Sequence, residues 1–80
     1  RYDVMLEPKD PKDVAVILEF KVRNKRREAG LEETAEAALK QIQERKYDEE
    51  LKQKGIDDDK IREYGFAFEG KTVLIIDSLE

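Results

Sequence analysis

The chain contains neither cysteine nor histidine in its 80 residues. The first absence excludes disulfide staples, a thiol nucleophile and thiolate zinc ligation. The second removes imidazole as zinc ligand and as acid-base catalyst. No apolar run approaches the roughly 20 residues that a membrane-spanning helix needs, and no signal-peptide pattern is visible. Basic residues are not in excess either. Sixteen Lys and Arg against 20 Asp and Glu give a net charge of −4, so no global field draws the chain to nucleic acid. Contact with a polyanion then needs a local patch or a metal. The lack of cysteine fits a reducing cytoplasm, which is the expected compartment. The chain opens on Arg1, inside an apparent strand and without an initiator Met, as expected of a fragment cut from a larger protein.

What is present is charge, at 45% of residues, around a few apolar stretches. The longest is Val14 to Val22, rich in β-branched residues and suited to an interior strand. Its period of two puts Ala15, Ile17, Glu19 and Lys21 on one face and Val16, Leu18, Phe20 and Val22 on the other. A carboxylate and an ammonium at the end of a buried strand are costly to desolvate unless paired or holding something.

Residues 2 to 7 alternate as a strand, and the segment 8 to 13 with its two prolines is a turn. The two strands are expected to form an antiparallel hairpin with a loop of about five or six residues. Residues 24 to 30 read as a basic loop or frayed helix start. From Leu31 the period becomes helical, with Leu31, Ala35, Ala38, Leu39 and Ile42 on one stripe. A second short helix, 48 to 54, stops at Gly55, and Asp57–Asp59 forms a capping turn. Ile61 to Glu69 is a strand, Gly70 marks a tight hairpin, and Val73–Ile76 reads as a buried strand. The order β-β-α-α-β-β predicts a single α+β domain over residues 1–80, a mixed sheet of about four strands packed on one or two helices.

If the first two strands pair, one register sets Asp3 beside Glu19 and Lys21. Two hard carboxylates plus the main-chain carbonyl of Phe20 suit Mg²⁺ or Mn²⁺, with water completing the shell. Lys21 then orients or helps deprotonate a water, or neutralises developing phosphate charge. On spacing alone the competing reading is a structural Glu19–Lys21 pair. Lys21, Arg23, Lys25, Arg26 and Arg27 form a basic cluster next to this site, read equally as phosphate contacts or solvated loop charges. Tyr64, Phe66 and Phe68 alternate as core or interface residues.

Arg1-Tyr2-Asp3-Val4, then Val16 to Val22 with Glu19-Phe20-Lys21, then Ala38-Leu39-Lys40-Gln41-Ile42 leading to Lys46-Tyr47, resembles the PD-(D/E)XK nuclease superfamily. More narrowly, the chain is similar to the nuclease-like domain that follows an AAA-ATPase-like domain in many bacterial proteins of unknown function. The likeness continues through Tyr64-Gly65-Phe66-Ala67-Phe68 and Gly70-Lys71. It implies a restriction-endonuclease-like core and metal-dependent phosphodiester cleavage. Asp3 and Glu19 would ligate Mg²⁺ or Mn²⁺, Lys21 would be the catalytic lysine, and Gln41 matches a glutamine facing the site. The substrate would be nucleic acid, expected to be DNA, delivered by other domains such as the AAA-ATPase-like one. The chain departs from the pattern at Tyr2, which replaces the motif's proline, and at Arg45, which stands four after Gln41 where a tyrosine is usual; the tyrosine comes at Tyr47. The superfamily's leading helix would lie before Arg1, so a fragment lacking it is expected. The rival expectation is a non-catalytic interaction or homodimerisation module that keeps the nuclease fold, with the apolar strand Val73–Ile76 as its edge.

Overall fold

The computed structural model describes residues 2–78, excepting the Tyr2 side chain. Four strands and two helices follow the expected order: β1 Tyr2–Leu6, β2 Ala15–Val22, α1 Leu31–Arg45, α2 Tyr47–Gln53, β3 Ile61–Glu69 and β4 Thr72–Asp77. The strands lie in the order β1-β2-β3-β4, with β2 and β3 parallel and the two outer pairs antiparallel. A parallel pair cannot be closed by a tight turn, and here the connection carries both helices.

Alternation along β2 sorts the sheet into two unlike faces. Ala15, Ile17 and Glu19 are wholly buried beneath the helices, and Ala67 on β3 joins them. Helix α1 turns Thr34, Ala35, Ala38 and Ile42 inward, and its small residues let the helix lie low on the sheet. The contact is closest at Gly65, where a Cβ would come 2.4 Å from the Ala35 carbonyl oxygen and 3.2 Å from the Ala38 Cβ. Gly65 is also the β3 partner of Glu19, so α1 passes directly over that carboxylate's neighbour. Leu51 of α2, Ile56 and Ile61 complete the core with Ala15, Ile17 and Ile42, and Met5, Leu39 and Tyr47 pack against it.

The opposite face carries Val4, Leu6, Val16, Leu18, Phe20, Val22, Phe66, Phe68, Val73 and Ile75, and no helix among the described residues covers it. Phe20, Phe66 and Phe68 gather there, with ring centroids 4.9 to 6.4 Å apart. Val22 is 68% exposed and Ile75 50% exposed. The reading of Val73–Ile76 as buried is therefore corrected. β4 is an edge strand whose alternate residues Val73 and Ile75 face outward. A continuous apolar run looks interior because periodicity cannot distinguish burial on two faces from one covered and one bare.

The turns follow their chemistry. Gly70 takes φ +58 in the two-residue link between Glu69 and Thr72. The β1–β2 connection, residues 7 to 14, is longer than the five or six expected, and Asp10 caps its turn by accepting the Lys12 N–H at 2.9 Å. The acidic run near position 58 forms the 3-10 turn Asp58–Lys60, a turn as expected, with no side-chain cap hydrogen bond from Asp57 among the described residues.

Candidate functional site

Residue pairing settles the register left open by the sequence. Asp3 lies directly across from Glu19 in the β1–β2 ladder, and Met5 across from Ile17. Opposed side chains in an antiparallel pair have Cβ atoms about 4.5–5.5 Å apart, so the two carboxyl groups share one patch of the helix-covered face. Lys21 is the next residue of β2 on that face.

The two acids meet different surroundings. Glu19 is completely buried, under α1 and beside Gly65. Asp3 is partly exposed and accepts hydrogen bonds from the Tyr47 hydroxyl and the Arg45 guanidinium. The Tyr47 bond is the main cause that holds its carboxyl below the usual carboxylate range, while partial burial opposes the shift and Arg45 adds to it. The same contact pushes the Tyr47 phenol up. Arg45 and Tyr47 also touch each other at 3.2 Å. Their convergence depends on Lys46, a non-glycine residue in the left-handed region at φ 57 that ends α1 and starts α2. That conformation costs about 1–2 kcal/mol for a residue with a Cβ. It turns the chain so that a tyrosine two residues beyond Arg45 reaches the same oxygen.

Lys21 reaches into the loop that follows β2. Its ammonium forms an ion pair with Glu28, a residue of the 23–30 loop that is only 8% exposed. Sequence reading missed Glu28, and its one available signal was a lone acid within a basic run. The Glu28 carboxyl is pushed down to about 2, first by the Lys21 bond; burial opposes this, and the Asn24 N–H and Thr34 hydroxyl reinforce it. Arg23 fixes the loop from the other side, donating to the carbonyls of Glu28 at 3.2 Å and Ala29 at 3.1 Å and to Glu69 Oε2 at 2.7 Å. Of the basic cluster, then, Lys21 and Arg23 are turned inward to structural partners. Lys25, Arg26 and Arg27 remain exposed beside the site.

Gln41 is half-buried on α1, on the same helical stripe as Thr34 and Arg45. No hydrogen bond joins it to Asp3, Glu19 or Lys21 among the described residues. Phe20 lies between ladder partners Tyr2 and Phe66, which keeps its carbonyl at the centre of the sheet.

A hard divalent cation is compatible with this donor set, since Asp3 and Glu19 bring oxygen ligands of opposite exposure to one place. No group of three or more His, Cys, Asp or Glu able to hold a metal occurs among the described residues, so main-chain carbonyls and water must supply the rest of any coordination shell. No described helix is long and apolar enough to cross a membrane.

No curated protein and no solved structure matches the chain. A family model does match, over residues 1–78, and its coverage takes in Asp3, Glu19, Lys21 and the helix that roofs them. The mixed four-stranded sheet with its helical cover is the expected α+β, restriction-endonuclease-like core, and the chain belongs to the PD-(D/E)XK nuclease superfamily.

Proposed function

We propose that this domain hydrolyses phosphodiester bonds in nucleic acid, using Mg²⁺ or Mn²⁺ held by Asp3 and Glu19, with the Phe20 carbonyl as a further oxygen donor. The observation that carries the reading is the direct opposition of Asp3 and Glu19 on one face, with Lys21 next along the strand. A divalent cation in that place supplies a lowered pKa to bound water and polarises a phosphoryl oxygen. Glu19, enclosed under α1, offers an oxygen with little competition from solvent. Asp3, at the open side, exchanges its Arg45 and Tyr47 bonds for a ligand. Lys21 orients the attacking water or neutralises charge that develops on the phosphate. Gln41 belongs to the same proposal as a polar contact from the roof helix.

Lys25, Arg26 and Arg27 supply the positive potential that the −4 net charge withholds. DNA is the favoured substrate, and in a longer protein other domains, an AAA-ATPase-like one among them, would bring it. Manganese calorimetry on the wild type and on Glu19→Gln, alongside cleavage of labelled duplex DNA, tests the reading. Saturable binding and cleavage that both vanish in the variant are expected. A wild type that binds no Mn²⁺ refutes it.

The bare apolar face favours a second reading, in which two copies pack sheet to sheet and the fold serves association. Sedimentation then finds a dimer that grows with concentration and is indifferent to Asp3→Ala.

A further inference from the structure

The Glu28 carboxylate divides its two oxygens between two tasks. Oε1 accepts the Asn24 N–H at 2.8 Å and the Thr34 hydroxyl at 2.8 Å, which ties the loop to the first turn of α1. Oε2 accepts Lys21 Nζ. Its backbone is fixed independently, since Arg23 Nε holds the Glu28 carbonyl and Glu33 Oε2 accepts the adjacent Ala29 N–H at 2.9 Å. A carboxylate anchored through one oxygen and by its own main chain presents the other at a set place. Lys21 has four rotatable methylenes and would otherwise sample many positions.

We propose that Glu28 is a positioning residue that aims the Lys21 ammonium along the face shared with Asp3 and Glu19. The catalytic consequence of this aim rests on the nuclease reading above, whereas the hold on Lys21 does not. A purely structural reading makes Glu28 a loop staple, with Lys21 an incidental partner. The split between oxygens separates the two. In Glu28→Gln, the amide oxygen still accepts from Asn24 and Thr34, and the amide nitrogen, a donor, replaces the oxygen that faces Lys21. The staple survives and the hold is lost.

The test has two arms. Pulse acetylation with acetic anhydride, read by mass spectrometry, compares Lys21 with exposed Lys25 and Lys40 in the wild type and in Glu28→Gln. Lys21 is expected to label about fivefold more slowly than the exposed lysines in the wild type, and to approach their rate in the variant at a temperature where both proteins are fully folded. Equal Lys21 rates in both proteins overturn the proposal. The second arm measures manganese-dependent cleavage. Glu28→Gln is expected to lower kcat about tenfold at unchanged KM and unchanged Mn²⁺ affinity, the signature of a group that acts on the transition state. Wild-type kcat in a variant whose Lys21 has been released makes Glu28 a staple and nothing more. A wild type that cleaves nothing, yet still protects Lys21 through Glu28, overturns the nuclease reading and leaves the hold intact. Should Glu28→Gln fold poorly, Thr34→Val loosens the same carboxylate from α1, and its Lys21 labelling decides the matter.

Discussion

Single residues in this domain are tuned against one another by charge and enclosure. Glu28, with its folded pKa near 2 against an ordinary value of 4.5, contributes stability that is fully present above pH 4.5 and drains away between about pH 4.5 and 2. Asp3, also held down, adds in the same direction. Chemical denaturation as a function of pH should therefore show Glu28→Gln less stable than the wild type by about 1–3 kcal/mol at pH 7, with the gap closing toward pH 2. Glu63 runs the other way. Burial, with the nearby negative charge of Asp48 behind it, raises its carboxyl, so its ionised form is disfavoured in the folded protein. Glu63→Gln should raise the melting temperature at pH 7, and the gain should disappear below pH 4.5, where the carboxyl is protonated in both states. At Asp3 the Arg45 guanidinium occupies an oxygen that the proposed metal would use. Arg45→Ala is expected to tighten Mn²⁺ binding by up to about fivefold in calorimetry, in line with the modest worth of a partly exposed ion pair.

The elements themselves were largely legible in the sequence, because each follows a simple period. β2 could be sorted into faces from its alternation, and the stripe Leu31, Ala35, Ala38 and Ile42 named α1 and its inward side. The pair Asp3 and Glu19 could be named as candidates, yet only the ladder register brought them together. Glu28 escaped because the loop from residue 23 to 30 has no period, and its three partners lie on a strand, a turn and a helix. The Tyr47 contact with Asp3 depends on the left-handed turn at Lys46, which no local preference of lysine announces. The close seating of α1 was equally hidden. Gly65→Ala would drive a methyl group against the Ala35 carbonyl, so the helix must lift. The expected loss is about 1–3 kcal/mol in urea unfolding, and Glu19 should gain solvent exposure with it.

At the scale of the molecule, an acidic domain that offers three exposed basic residues beside its site should meet nucleic acid weakly and through few phosphates. Replacing Lys25, Arg26 and Arg27 together by alanine is expected to flatten the dependence of log K on log salt by about 2–3 units, seen in fluorescence anisotropy with a labelled duplex. The order in which the molecule assembles follows from the parallel pairing of β2 with β3. Asp3 and Glu19 meet across a hairpin whose closure is local, whereas Gly65 must return from beyond both helices before α1 can settle. Short loops close early and long ones late. The two like charges are thus brought side by side while still in water, where their repulsion is small, and only afterwards is one of them sealed in. The enclosure of Glu19 is thus expected to form after the hairpin that sets it opposite Asp3, and pulse-labelling hydrogen exchange should protect β1 and β2 before β3.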